Sequence, residues 1–531
     1  MNDRGSSTAG PRPTAPTSSE NILATARGTG FLAGGSFFEF AGRFVIALLL
    51  ARVLGPRDYG LYVLAISAAT LFAGISQLGL DDAMVRYVAI LSGREDHQGV
   101  RGTIQIGLGV SMAVGLVMSG VLLAGARPIA EGLFDEPALI PVLRFMAFII
   151  PLLTVSNVLA GTARGFGRMD HVAFAENVVM SLVRLVLLAA IAFMGKLDLF
   201  SSALMFGVSD VAASITLIVL VNKDFPLKGI LGRDVRRDMN AILRFALPLW
   251  LSGVLRQFRR NIQTLLLGAL AAASSVGIFA VVGRVNLVAH VFLLSILVAV
   301  KPILARLHDR RDHDGLQHLY RTATRWALTL TLPFFLVMVL YPRPILTVFG
   351  QAFGAGATAL IIMSFAELAN AATGICGPMI DMTGHTRVKL ANSVLWTILA
   401  VAGNALLVPR WGLIGAAIAM VIAIASVNIL CVIEVWVLER LVPFDRSFWK
   451  PSGAALMAIA CGIALKAAMP VGTDFVYAGV QGAVVCCIYL AFLFLFGLPA
   501  EDKLVIERML GRIRSLSHRR RAMARAAAEK T

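Results

Sequence analysis

RVLGPRDYGLY, residues 52–62, breaks a long apolar run with a turn, and LLLGALAAASSVGIF, residues 265–279, repeats the arrangement more than two hundred residues later. Both read Leu-Gly, a short link, then Gly, an aliphatic residue and an aromatic one. Gly55 to Gly268 is a spacing of 213, and Gly60 to Gly277 is 217. Further on, GTARGFGRMDHVAFAEN (161–177) has a counterpart in GPMIDMTGHTRVKLAN (377–392), with Gly167 to Gly384 again at 217 and Asn177 to Asn392 at 215. Four landmarks at nearly one offset predict a unit duplicated in the same orientation. Parallel repeats set two lobes about an axis along the membrane normal, with the substrate site between them.

Composition agrees with a membrane setting. Of 531 residues, 58% are hydrophobic and 15% charged, and the mean hydropathy is +0.79, values that exclude an ordinary soluble fold. No strand alternation of the outer-membrane kind is present, so the expected class is an all-α polytopic membrane protein. Spans are expected at 31–54, 58–80, 102–125, 139–160, 171–194, 199–221, 242–268, 274–300, 322–341, 356–379, 390–409, 412–438, 450–469 and 475–497, about 14 transmembrane helices. The first is too long and too late for a cleavable signal core. The repeat divides them into two pseudo-symmetric six-helix lobes plus two C-terminal helices. The expected domains are a disordered cytoplasmic tail (1–22), an N-lobe (23–221), a cytoplasmic linker (222–241), a C-lobe (242–438), helices 13 and 14 (439–497) and a basic cytoplasmic tail (498–531).

The net charge of +17 does not call for nucleic acid. About 34 of the 48 Lys and Arg fall in alternate loops and the two tails, while the opposite loop around Glu131, Asp135 and Glu136 is acidic, which predicts cytoplasmic termini. The five cysteines all lie in apolar segments with no paired CxxC motifs, so neither a disulfide framework nor a metal site is expected. His308, His313 and His318, spaced by five, do not share a helix face and read as solvated.

Taken together, ALLLARVLGPRDYGLYVLA, QLGLDDAMVRY, the GFGRM loop and NALLVPRWGLIGAAIAM resemble the Wzx-type polysaccharide flippases (O-antigen and exopolysaccharide flippases) of the multidrug/oligosaccharidyl-lipid/polysaccharide exporter superfamily, over about residues 25–440. The resemblance implies a V-shaped, two-lobed transporter in the bacterial inner membrane. It would move an undecaprenyl-diphosphate-linked oligosaccharide from the inner to the outer leaflet, among membrane lipids and beside polysaccharide polymerase and assembly proteins. It implies no enzyme activity and no cofactor beyond a coupling ion, H+ or Na+; some members of the superfamily are ion-coupled antiporters.

The candidate site begins with PLWLSGVLRQFRRNIQTLLLG (248–268), a membrane-length segment with Arg256, Arg259 and Arg260 near its middle. Arginine at the centre of a spanning helix is disfavoured by about 2.5–3.5 kcal/mol on insertion scales, so such residues face a wet cavity, an anion or a carboxylate. The 213 offset relates Arg256 to Arg43 in helix 1, and Arg284 follows in helix 8. Guanidinium groups stay charged and offer paired donors to phosphate oxygens, so Arg43, Arg256, Arg260, Arg259 and Arg284 are the candidate diphosphate ligands. Arg259 and Arg260 are adjacent and cannot both point one way. The competing reading is that these arginines pair with carboxylates to stitch helices. Glu39, Asp210 and Glu367 are the intramembrane acids proposed for ion coupling, with an Arg184 pair the preferred role for Asp210. A lipid II flippase and a multidrug or cation antiporter remain alternatives, the latter disfavoured by the basic residues. A membrane glycosyltransferase would need acidic residues on large outer loops, which are lacking.

Overall fold

The structure, a computed structural model, describes residues 18–226, 238–469 and 474–497, with side chains from Phe40 onward apart from that of Phe292. In order, the helices are α1 (Ser18–Ser76), α2 (Leu80–Gly93), α3 (His97–Arg127), α4 (Leu139–Gly165), α5 (Met169–Ala173), α6 (Met180–Phe193), α7 (Leu199–Asp224), α8 (Met239–Leu270), α9 (Ala273–Asp309), α10 (His313–Leu340), α11 (Pro342–Thr347), α12 (Ala357–Thr373), α13 (Cys376–Met382), α14 (Thr386–Glu439), α15 (Trp449–Ala468) and α16 (Phe475–Leu495). No strand occurs among the described residues. Residues 1–17 of the expected N-terminal tail, the whole C-terminal tail and most of the expected linker lie outside them, while residues 18–22, expected to be disordered, form the start of α1.

Eleven helices among the described residues are long and apolar enough to cross a membrane, against about fourteen expected. The difference has a physical cause. α1 and α14 each continue through what the sequence reads as two spans, and α8 is less apolar than the others because it carries Arg244, Arg256, Arg259 and Arg260. The 54 residues of α14 would extend about 80 Å at 1.5 Å per residue, far beyond one bilayer. It breaks at Gly412 (φ 50°, ψ −125°), and α1 breaks at Gly55 (φ 73°, ψ 176°) ahead of Pro56. Both backbone settings favour glycine, and proline is preset for the first turn of the limb that follows.

The duplication is visible in the backbone. Gly167 and Gly384 both have positive φ, 75° and 85°, and so do Gly195 and Gly412, 65° and 50°, each pair 217 residues apart. The two lobes meet at Gly60 and Gly277, again 217 apart. A Cβ on Gly60 would lie 1.9 Å from the carbonyl oxygen of Ala273 and 2.9 Å from the nitrogen of Gly277. A Cβ on Gly277 would lie 2.0 Å from the carbonyl oxygen of Pro56 and 3.0 Å from the nitrogen of Gly60. Pro56 and Ala273 are themselves 217 apart, so the contact maps onto itself and the pseudo-two-fold axis runs through it. Small residues let helices approach this closely where no aqueous hydrophobic drive exists.

The same register continues upstream. Buried Ile46, Ala47, Leu50 and Ala51 fall on Gln263, Thr264, Leu267 and Gly268, of which three are buried and Thr264 half-buried. Arg43 therefore corresponds to Arg260, not to Arg256. The 213 spacing had matched Gly55, which supplies a turn, with Gly268, which sits inside α8 against the side chain of Leu64.

The principal contacts between the lobes run through α1 and α2 on one side and α8 and α9 on the other. Toward the Asp81 end, α8 is seated on the second limb of α1 and on α2. Trp250 Nε1 donates to the Ile75 carbonyl at 2.8 Å, Gln257 Nε2 to the Thr70 carbonyl at 3.0 Å, and the Tyr87 hydroxyl to the Ala241 carbonyl at 3.0 Å. A Cβ on Gly74 or Gly79 would strike Gln257 or the Ala246 carbonyl at 2.5 and 2.3 Å.

Candidate functional site

Between the lobes lies a cavity of about 970 Å³. Its walls carry the same symmetry: Tyr62, Val63, Ile66, Ser67 and Thr70 of α1 face it, and so do Phe279, Ala280, Gly283, Arg284 and Leu287 of α9, each 217 residues later. Arg43, Arg256, Arg260 and Arg284 all line it. Arg259 does not. It turns to α14, where its guanidinium stacks 5.4 Å from the Trp396 ring and Nη1 donates to Ser393 Oγ at 3.4 Å. The neighbouring arginines thus point apart, as adjacent helical positions must.

Two further arginines line the cavity, Arg164 at the end of α4 and Arg184 on α6. Counting from the turns at Gly55, Gly195, Ala271 and Ala272, Arg43, Arg184, Arg260 and Arg284 sit 11 or 12 residues in, about 16–18 Å deep at 1.5 Å per residue. The ion pair of Arg57 with Glu136, at 2.6 Å, ties the Gly55 turn to the α3–α4 turn at this end of the bundle. Four arginines from four helices of both lobes therefore stand at one depth, near the middle of a roughly 30 Å hydrocarbon core.

Carboxylates offset part of this charge. Arg184 donates from Nη2 to Asp210 Oδ2 at 3.0 Å and from Nε to Ser209 Oγ at 2.7 Å, with its guanidinium over the Phe206 ring. This is the pairing expected for Asp210. Glu176 lines the cavity from a π-helical turn, Phe174–Val179. Such turns re-aim side chains and recur at functional sites. Toward the other end, Arg256 Nη2 lies 4.0 Å from Asp82 Oδ2 across the lobe boundary. Beside it, burial and then the Asp82 charge push the Asp81 carboxyl above its usual range, with Arg164 opposing. With six arginines and four acids, the lining keeps two positive charges in excess. Arg284 faces the Tyr59 hydroxyl from the opposite lobe.

Of the expected acids, Glu367 is outside this cavity. Its Oε2 is 2.9 Å from His290 Nδ1 and 3.5 Å from Asn370 Nδ2. The side chain of Glu39 lies outside the described residues. Sequence reasoning left Arg164 in a loop, gave Arg184 only a structural role and did not consider His290. The 217 register would have marked the last two, because their counterparts are Val401 and Ala73. Among the described residues no group of His, Cys, Asp or Glu could hold a metal ion. His308 and His318 are not part of the site, and His313 Nε2 meets the Glu439 carbonyl at 2.8 Å.

Two lobes joined along one seam, with a charged cavity between them, make a multi-pass membrane protein, and the family matches place it in the multidrug/oligosaccharidyl-lipid/polysaccharide exporter superfamily. The chain belongs to the polysaccharide biosynthesis protein family, which matches residues 25–308; the MatE family matches residues 248–406. The structure is similar to lipid II flippase MurJ in an inward closed conformation (TM-score 0.72, 13% identity, covering 88% of this chain and 98% of that one). It is also similar to an inward-facing multidrug resistance MATE family transporter (TM-score 0.61, 17% identity, covering 76% and 94%). In sequence, stage V sporulation protein B of Bacillus subtilis (strain 168) is 30% identical over 147 residues, a stretch that spans 28% of either chain. Family and fold are those of transporters, not of enzymes.

Proposed function

We propose that this protein flips an undecaprenyl-diphosphate-linked oligosaccharide from the inner to the outer leaflet of the bacterial inner membrane, for surface polysaccharide biosynthesis and the assembly proteins that take up the glycan there. The supporting observation is the level set of four cavity arginines drawn from both lobes. A diphosphate held between Arg43 and Arg184 of one lobe and Arg260 and Arg284 of the other is bound by planar donors that hold their charge at membrane depth. Because the ligands belong to different lobes, rocking about the Gly60–Gly277 contact changes which end of the cavity the anion sees. The glycan rides in the hydrated space and the prenyl chain stays in lipid. With both termini cytoplasmic, the Asp81 end of the cavity is the cytoplasmic one.

The test is flipping of a fluorescent undecaprenyl-diphosphate glycan in proteoliposomes. Truncating one partner of a desolvated charge contact costs about 2–5 kcal/mol, at 1.4 kcal/mol per tenfold, so Arg43→Ala and Arg260→Ala should each slow transport by about 30-fold or more. Arg259→Ala should slow it less than about threefold, as for a solvent-screened cation–π contact. Wild-type rates in the Arg43/Arg260 double variant would sink the anion site. Likeness to MurJ keeps lipid II as the second substrate to assay, since it presents the same diphosphate and differs in the sugar and peptide.

A further inference from the structure

A duplicated fold carries its own control. Where both lobes use apolar residues at matching positions, packing alone explains them; where one lobe departs, the departure answers to something else. The second lobe departs at five positions that come together. On α9, Asn286 and His290 stand one turn apart on one face. On α12, Glu367 and Asn370 do the same, and Asn428 of α14 donates from Nδ2 to Asn370 Oδ1 at 2.6 Å. The counterparts 217 residues earlier are Ala69, Ala73, Ile150, Leu153 and Val211. All are apolar, and all but Val211 are buried. The first lobe carries no polar side chain at these positions, two of which, Ala73 and Leu153, line the central cavity, so helix packing does not require the second lobe's cluster.

The cluster is also incomplete as a structural network. Asn286 is 3% exposed, yet neither its amide nitrogen nor its amide oxygen has a hydrogen-bond partner among the described residues. Buried amides are almost always satisfied, and an unsatisfied one marks a place where a ligand or water is received. One turn on, His290 meets Glu367 at 2.9 Å with both side chains partly accessible, 28% and 17%. α9 is packed by α1, α8, α10, α12, α13 and α14. Among the described residues, the titratable side chain found in contact with His290 is Glu367. Arg284 of α9 faces Tyr59, Arg259 of α8 faces Trp396, Arg325 of α10 bonds Ser447, and Glu434 of α14 bonds Asn392.

We infer that His290 and Glu367, with Asn286 beside them, form a proton-binding site in the second lobe, separate from the central cavity. One proton converts the pair from neutral imidazole and carboxylate to imidazolium and carboxylate, removing a net negative charge from the membrane interior. Intramembrane ionisable groups of this kind carry proton relays in transporters, and histidine titrates in the range where a transmembrane proton gradient operates. The first lobe, with alanine and isoleucine in their place, has no such group to titrate. This inference needs only the transporter class and not the substrate, so its failure and that of the arginine site are separate results.

The test measures protons directly. Purified full-length protein in weakly buffered detergent solution receives acid pulses from about pH 8 to pH 5, with a pH-indicator dye as the probe. Wild type should take up about one proton per chain more than His290→Gln or Glu367→Gln, and Asn286→Ala should shift the midpoint of that uptake. Should the single variants unfold, the double variant His290→Ala/Glu367→Ile imports the first lobe's residues and should stay folded while losing the same proton. Equal uptake by wild type and the folded variants overturns the inference. So does release of the wild-type proton by a sodium or potassium pulse at constant pH, which would identify a metal-cation site instead.

Discussion

The two lobes share a chain path, a glycine framework and an axis, and differ in where they place charge. In the first lobe, Glu176, Arg184 and Asp210 open onto the central cavity, where the second lobe has Ser393, Val401 and Val427. In the second, the His290 cluster is set away from the cavity, where the first lobe is apolar. One substitution of repeats relates the two patterns in opposite directions. Positions at which the lobes agree, such as Gly60 and Gly277 or Arg43 and Arg260, therefore report on architecture or on a ligand held symmetrically. Positions at which they disagree report on tasks that only one lobe performs.

The largest effect should come from the Arg184–Asp210 pair. Removing one member of a buried ion pair leaves the other uncompensated and costs about 3–5 kcal/mol, whereas replacing both by apolar residues is often neutral. Arg184→Val or Asp210→Val alone should lower thermal stability by that order, and the double variant, which copies Val401 and Val427, should recover most of it. A double variant as unstable as the singles would show that the lobes are not interchangeable here. Next is the axis itself. Alanine at Gly60 or Gly277 must displace a backbone carbonyl, and overpacking of this kind costs about 1–3 kcal/mol. The two substitutions should cost the same within error in melting experiments, and unequal losses would break the symmetry.

The smallest effect belongs to a part outside the duplication. Burial opposes the charge of Asp445, but the Ser447 hydroxyl, the Phe448 N–H and Arg325 outweigh it and hold the carboxyl below its usual range. A depressed carboxyl stabilises the folded state above the unfolded value and loses that contribution as pH falls through the folded one. The part of the stability owed to Asp445, read as the difference in unfolding midpoint between wild type and Asp445→Asn, should therefore be constant from pH 5 to 8 and shrink below about pH 4. Asp445→Asn should cost about 1 kcal/mol at neutral pH and lack that acid-side loss.

Much of this was legible in the residues. Apolar lengths marked most spans, and repeated glycines disclosed the duplication because turns with positive φ tolerate little else. The arginines of 248–268 announced a cavity because hydrocarbon does not accept them. What escaped has equally physical causes. Glycine serves both turns and close approach, so matching Gly55 to Gly268 aligned two different uses and slipped helix 1 by one turn. The π-helical turn at Glu176 leaves no periodic trace, and the direction in which Arg259 leaves α8 depends on Trp396, 137 residues away. A lone histidine at position 290 is silent until Glu367 is seen beside it.

The contact at Gly60 has one more consequence. Because its atoms exchange places under the pseudo-two-fold, it is an isologous interface of the kind that closes a two-subunit ring. A single six-helix unit bearing Pro56 and Gly60 already presents both halves of that contact. Two identical chains would meet through the same four atoms, so the covalent link between lobes adds to the geometry of a homodimer without changing its principle. In one chain the two halves can differ, and the polar groups confined to one lobe are what an obligate homodimer could only carry in duplicate.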